Sequence, residues 1–265
     1  MKGYQKIFKR VEQKYMLTRS EYNLLMDSLK DKMEENEYPN SKILNLYFDT
    51  DNNDIAIHTI QKNSYREKLR LRSYKVPEGK DMVFFELKRK CDGVVSKRRI
   101  SMTLDEYNKY SKTGILENPE NMQIFKEIDY TIRSKKLYPK SMVAYDRLSF
   151  YLKENKDIRI TFDFNLRSRD DDLDLSLGDA GKKYFEKDVI IMEVKALGSL
   201  PIWFGKMMNE FKYYPTSFSK YGQIYKKKFS EKQIENKNSF VDSTIKNSEI
   251  VKNTNLQYSK TLQTA

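Results

Sequence analysis

The sequence predicts an α+β fold: a mostly antiparallel sheet with helices packed outside it. Three observations lead there. Eight segments alternate in character with period two, helices with recognisable start signals lie between them, and the strand–helix–strand rhythm of a parallel sheet is missing. The chain of 265 residues is 38% hydrophobic and 13% aromatic. That suits one large domain or two small ones, and it carries too many aromatic residues for a disordered polymer of this charge.

In chain order, the first strand spans 6–17 and ends where Thr18 and Glu21 form a capping-box pattern. The helix it opens places Tyr22, Leu25, Leu29 and Met33 on one face. Strands at 43–50, 68–75, 82–90 and 94–102 follow, after which Thr103 and Glu106 repeat the box before Tyr107 and Tyr110. Asn118-Pro119 opens a third helix with Phe125, Ile128 and Ile132 aligned. Strands at 141–152, 157–169 and 189–197 complete the set. A fourth helix runs from Ser199-Leu200-Pro201 through Trp203, Met207 and Phe211, with Pro201 where a first-turn proline is tolerated. Residues 1–230 form the expected domain; 231–265, rich in Asn, Ser, Lys and Thr, read as a flexible tail.

Fifty basic residues against 38 acidic ones leave a net charge of +12. The tail holds five Lys against four Asp or Glu, so nearly all of the excess belongs to residues 1–230 and describes a binding surface. No run approaches the roughly 18 apolar residues of a spanning helix, and the N-terminus lacks the apolar core of a secretion signal, so the expected compartment is the cytoplasm. Cys91 and His58 are each the only residue of their type. An internal disulfide and the usual His/Cys zinc sites are thereby excluded, a hydrolytic triad would have to use His58 in a segment with no nearby nucleophile motif, and a catalytic metal has to sit on carboxylates. Gly178–Lys183 has the wrong spacing for a phosphate-binding P-loop, and the run Asp170–Asp174 lacks the Gly and Glu of a calcium loop.

Residues two apart on a strand share a face. Arg10, Glu12 and Lys14 fall together, as do Arg70 with Arg72, Glu86 with Lys88, Lys97 with Arg99, Tyr145 with Arg147, Arg159 with Thr161 and Asp163, and Glu193 with Lys195. The opposite faces carry Tyr15, Leu69, Leu71, Phe85, Leu87, Ile158, Ile160, Met192 and Val194, which must meet the helices. Each charged face by itself is what any one-sided sheet turns to water. Repeated on seven strands, the cations repel one another unless an anion lies among them, and a curled sheet would enclose that anion in a charged lining. Clustered Arg and Lys suit a phosphate chain, and Glu12, Glu86 and Glu193 make sense among them if one or more hold a divalent cation bridging to phosphate oxygens.

The series RVEQKY (10–15), LYFDT (46–50), LRLR (69–72), FELKRK (85–90), SKRR (96–99), AYDR (144–147), IRITFD (158–163), MEVK (192–195) and FSKY (218–221) resembles the polyphosphate-polymerase domain of the vacuolar transporter chaperone type, a branch of the triphosphate tunnel metalloenzymes. The resemblance covers roughly 6–226, and its specificity lies in the shared order of nine short motifs. It implies a closed antiparallel barrel, a tunnel with helices outside, in which the γ-phosphoryl group of ATP passes to a growing inorganic polyphosphate chain with Mn2+ or Mg2+ assisting. It implies Lys14, Arg70, Arg72, Lys88, Arg147, Arg159 and Lys220 as catalytic phosphate-handling residues. Lys97, Tyr145, Lys195 and Ser219 become substrate contacts, and Glu193 the metal ligand, with Glu12 and Glu86 as further candidates.

Three departures stand out. Arg10 replaces the first Glu of the Glu-x-Glu-x-Lys strand of other branches, which disfavours a two-metal hydrolase. Ser217 stands where eukaryotic relatives have Lys, and the basic residue that follows LYFDT in the family has no clear match near His58, Thr59 and Lys62. Phosphate-sensing and membrane-spanning modules of eukaryotic relatives have no counterpart here, so a stand-alone bacterial type is expected, with a membrane partner protein as an open question. The rivals are a tripolyphosphatase or nucleoside triphosphatase using the same tunnel, and a non-catalytic polyanion-binding module. Nucleic acid is not an expected partner, because the aromatic residues lie on the apolar faces and do not interleave with the basic ones.

Overall fold

The computed structural model of the chain describes residues 10–117, 119–185 and 189–234. The chain divides into two compact units, 1–222 and 223–265. In the second, residues 223–234 are helical, so the first four residues of the expected tail continue a helix; the remainder of that tail lies outside the described residues.

The first unit is built on one sheet of nine strands: β1 (Arg10–Leu17), β2 (Met33–Asp49), β3 (Tyr65–Ser73), β4 (Met82–Cys91), β5 (Val94–Thr103), β6 (Tyr138–Leu152), β7 (Asn155–Arg169), β8 (Lys182–Lys183) and β9 (Ile190–Leu197). Its order is β1-β9-β7-β6-β2-β3-β4-β5, with the short β8 on β7, and each pairing is antiparallel. Around it lie α1 (Arg19–Leu29), α2 (Asp54–Gln61), α3 (Leu104–Thr113), α4 (Met122–Lys135) and α5 (Ile202–Glu210). Among the described residues no helix is long and apolar enough to cross a membrane.

Both capping boxes form as read. The Thr18 hydroxyl accepts from the Glu21 amide at 3.2 Å while the Glu21 carboxylate accepts from the Thr18 amide at 2.7 Å, and Thr103 with Glu106 repeats this geometry. The third helix starts later than expected, because Asn121 supplies the cap, accepting from the Ile124 amide at 3.0 Å. The Asn118 invoked as its opening lies outside the described residues. Pro201 sits just ahead of α5, at its N-cap.

Two elements escape the periodicity. Residues 34–42 belong to β2 although they are polar, since this stretch pairs with β6 across a bulge between Glu35 and Asn40 and needs no alternating apolar face. The α2 helix starts after Asn53, whose side chain makes no capping bond; the Asp49 carboxylate does that work, accepting from the Ile55 and Ala56 amides at 2.9 and 3.0 Å.

The apolar sheet face is covered as the alternation requires. Leu25 and Leu29 of α1 and Phe204 and Met208 of α5 pack with Ile160, Phe162, Met192 and Val194. At the other end, Phe85 meets Tyr107 and Tyr110 of α3 edge-on, and Tyr110 meets Phe125 of α4.

The polar face is strongly curled. In a flat sheet β1 and β4 would be six strand spacings apart, roughly 29 Å at about 4.8 Å each. Instead the Lys88 ammonium on β4 interacts with Glu12 and Lys14 on β1 and with Glu193 on β9. The ladder nevertheless stays open: its path ends at β1 and β5, which do not pair among the described residues, so hydrogen bonding does not close the expected barrel. A physical reason is visible at the β1 edge, where the Thr216 amide donates to the Lys14 carbonyl at 2.7 Å and occupies a position that a further strand would need. From there a short strap crosses the concavity. Ser219 accepts from Lys68 of β3 at 3.0 Å, Lys220 pairs with Asp163 of β7 at 2.6 Å, and the Tyr221 hydroxyl donates to Asp49 of β2 at 2.7 Å.

Phe162 is fully buried and meets Tyr22 and Phe150 edge-on. Phe162→Ala is expected to cost about 3–5 kcal/mol, read from urea unfolding; a loss below about 1 kcal/mol would show that this end of the sheet is not held by that packing.

Candidate active site

The antiparallel register assembles the charged residues into rows that run across strands. One row is Tyr47–Arg70–Glu86–Arg99, residue opposite residue on β2, β3, β4 and β5. Lys68, Lys88 and Lys97 form the row beside it. At the other end Lys14, Glu193, Thr161 and Ser149 align across β1, β9, β7 and β6, next to Glu12, Lys195 and Arg159. Cross-strand neighbours on one face stand within about 5 Å of each other at Cβ, so the cations are forced together.

Two buried carboxylates make that crowding tolerable. Glu86 is 2% exposed. Its Oε2 accepts from Arg70 Nε and Nη2 at 2.9 and 2.7 Å, and its Oε1 accepts from Arg99 Nε at 2.8 Å and Lys97 Nζ at 2.9 Å. Burial alone would raise its pKa, but Arg70, Arg72 and Lys97 hold the carboxyl well below the usual range. Asp163, equally buried, takes a two-pronged contact from Arg147 at 2.6 and 2.8 Å and the Lys220 ammonium at 2.6 Å. Against the raising effect of burial, Lys220 and Arg147 keep it ionised.

The other cations are fixed more lightly. Arg72 donates to Asn45 at 2.9 Å and lies near the Tyr145 hydroxyl at 3.5 Å; Arg159 donates to Ser149 at 3.0 Å. Lys195 pairs with Glu193 at 2.7 Å and Lys14 with Glu12 at 2.8 Å. The Tyr145 ring lies under Arg147 and Lys220, 5.3 and 4.6 Å from its centroid. Its hydroxyl is buried, which alone would raise its pKa, yet Arg147, Arg72 and Lys220 bring it down. Lys88 and Lys97 are depressed, chiefly by loss of solvent and partly by neighbouring cations.

All the residues expected in the site thus meet on one concave surface. Sequence reasoning missed Lys68, although it has the same parity as Arg70 and Arg72, and left Arg99 and Asp163 without a role. Tyr47 was missed as well: its hydroxyl accepts from Arg70 at 3.2 Å and its ring stacks on Tyr221 at 4.5 Å. The stretch that follows LYFDT forms α2, and the chain brings Lys68 of β3 onto this face after it.

With this geometry in hand, comparison with known proteins is decisive at the family level. The family model for the VTC domain matches residues 9–229. This chain belongs to the VTC domain family. Membership supports a triphosphate-tunnel type of enzyme, a family that depends on divalent metal. No curated protein matches the chain. Similar solved structures include two candidate adenylate cyclases. The one from Bacillus halodurans shares 14% identity over 79% of this chain and 93% of its own, TM-score 0.49. The one from Vibrio parahaemolyticus shares 10% over 80% and 94%, TM-score 0.42. A third, the PH1819 protein of Pyrococcus horikoshii, shares 12% over 83% and 99%, TM-score 0.45.

Whether these residues suit the metal can be judged from their surroundings. Glu12 and Glu193 are diagonal neighbours on β1 and β9, and Thr161, directly opposite Glu193, has a buried hydroxyl with no hydrogen-bond partner. That orphaned oxygen beside Glu193, with Glu12 one strand further on, fits a hydrated cation. Among the described residues no group of three or more acidic, His or Cys side chains is assembled. Such a sparse set matches Mg2+-like ions, which keep waters and bind through one or two carboxylates plus substrate phosphates. Glu86 is held more tightly: both its oxygens accept from Arg or Lys at 2.9 Å or less, whereas Glu193 has Lys195 at 2.7 Å on one oxygen and Arg147 no nearer than 3.9 Å on the other.

A depressed carboxylate contributes stability above its unfolded pKa, and that contribution is lost as pH falls through and below it. Asp163→Asn should therefore destabilise the protein by about 3–5 kcal/mol at pH 7, with the gap to wild type narrowing below about pH 4. Urea unfolding at pH 7 and pH 3 checks this. An unchanged gap would mean that the Asp163 charge does not anchor Arg147 and Lys220.

Proposed function

We propose that this VTC domain is a polyphosphate polymerase that transfers the γ-phosphoryl group of ATP to the end of an inorganic polyphosphate chain and releases ADP. The observation that carries the reading is a continuous cationic face whose carboxylates are all ion-paired. Water needs a general base to become a good nucleophile, and carboxylates held below their usual pKa by paired cations, as Glu86, Asp163 and Glu193 are, make poor ones. The terminal phosphate of an acceptor chain is already anionic and needs none. The face therefore favours transfer to phosphate over transfer to water, and Arg10 in place of a third tunnel Glu points the same way.

In this mechanism a terminal oxygen of the acceptor attacks the γ-phosphorus, the bond from that phosphorus to the β,γ-bridging oxygen breaks, and ADP departs. The protein positions and neutralises. Arg70, Arg72, Arg147 and Arg159 present forked donors to equatorial oxygens, where charge is spread in the transition state. Lys14, Lys88, Lys97, Lys195 and Lys220 offset the repulsion between two polyanions, Tyr145 forms the wall beneath Lys220, and Ser219 holds the strap against β3. Glu193, with Glu12, would hold Mn2+ or Mg2+, which would supply charge neutralisation on the triphosphate. Glu86 acts as the anchor of Arg70 and Arg99 and is left out of the metal site.

Purified protein given ATP and Mn2+ should release ADP in step with polyphosphate growth on a gel. Arg70→Ala and Glu193→Gln should each slow this by about a hundredfold to a thousandfold. Phosphate release without chain growth would favour the hydrolase, and undiminished turnover in either variant would remove that residue from the mechanism.

A further inference from the structure

Lys68, like Arg159 with Ser149, is held by a hydroxyl and not by a carboxylate. Its ammonium donates to Ser219 Oγ at 3.0 Å, and among the described residues no carboxylate pairs with it. It is flanked by Lys88 on β4, Lys14 on β1, and Arg66 and Arg70 on its own strand. From β2, Asp49 is the nearest acidic position in the register, but its carboxylate is committed to the Tyr221 hydroxyl and to the Ile55 and Ala56 amides. From the strap comes Lys220, already neutralised by Asp163. The charges of Glu12 and Glu193 bear on Lys88, and Lys195 and Lys14 share those two carboxylates. Lys68 thus sits among cations with a neutral hydroxyl as its one hydrogen-bond partner among the described residues, at the point where strap and sheet meet.

We infer that Lys68 is a further phosphate ligand of this face, and that an anion arriving beside it returns a proton to its amine. The inference rests on reading the face as a phosphate site and holds whether or not the chemistry is polymerisation. Loss of solvent, followed by Lys88, Lys14, Arg70 and Arg66, lowers the Lys68 pKa to about 7. A group of that pKa is about half neutral at pH 7 and about nine-tenths neutral at pH 8. A phosphate oxygen supplies the missing counter-charge and raises the pKa again, so binding takes up protons, more at pH 8 than at pH 6. Ser219 is placed to share the incoming oxygen, since its hydroxyl can both accept from Lys68 and donate to phosphate.

The test is titration calorimetry of the full chain with sodium tripolyphosphate, free of divalent metal, at pH 8 in two buffers of different ionisation enthalpy. Proton uptake by the remaining residues and by the ligand itself is common to every variant, so differences isolate Lys68. Wild type should take up close to one proton more than Lys68→Met, which should also bind about tenfold more weakly or worse. Lys68→Arg keeps the charge without titrating; it should bind tightly while losing the extra uptake, which a merely structural role for Lys68 would not produce. Equal uptake in wild type and Lys68→Met, or the extra uptake persisting in Lys68→Arg, overturns the inference. Absence of tripolyphosphate binding by wild type overturns it together with the phosphate-site reading. Binding with uptake but no polymer from ATP would leave Lys68 standing and remove only the polymerase.

Discussion

Everything on the concave face depends on two buried carboxylates. Without Glu86 and Asp163, the sheet would set Arg70, Arg99, Lys97, Arg147 and Lys220 against one another in a curled, poorly solvated space. With them, each guanidinium is held at fixed distance and angle, and the cations still exceed the carboxylates, so the face retains a demand for anion. Taking charges out of water is unfavourable unless geometry and hydrogen bonding compensate. Here the compensation comes from forked contacts made across neighbouring strands, which is why the register of the sheet and the chemistry of the site are one problem.

The strap at 216–221 extends that logic to tertiary structure. Within six residues it touches β1, β3, β7 and β2, through an amide, a hydroxyl, an ammonium and a phenol. The sheet is curled but not closed by hydrogen bonds, and the strap draws its separated parts together with polar contacts that border the candidate site. Asp49 of the LYFDT motif is structural in the same sense: it caps α2 and receives Tyr221, tying the strap to the end of β2.

Much of this was legible in the sequence because a strand announces its faces with period two. The parity of Arg70 with Arg72, or of Glu193 with Lys195, places side chains on one surface before any strand is paired. Pairing itself is not legible that way. Nothing local says that Arg70 faces Glu86, or that Arg147 will find Asp163 across a hairpin with a bulge between Ala144 and Asp146. The embedded acidic residues were accordingly read as metal ligands, whereas Glu86 proves to be engaged by Arg and Lys on both oxygens. The polar half of β2 and the short α2 were invisible for a related reason: neither buries a regular apolar stripe, and α2 takes its cap from Asp49, four residues before the usual position. Lys68 carried the right parity signal but lay outside the quoted motif.

On the proposed reading, a phosphate chain takes its place along this face between the Glu86 and Asp163 clusters. A crystal structure of the protein grown with tripolyphosphate tests it most directly. Phosphate oxygens within hydrogen-bond distance of Arg70, Arg72, Arg147 and Lys220, with Glu86 and Asp163 still engaged behind them, is the predicted result. Tripolyphosphate bound on the outer surface, with the concave face still closed on its own ion pairs, would contradict it.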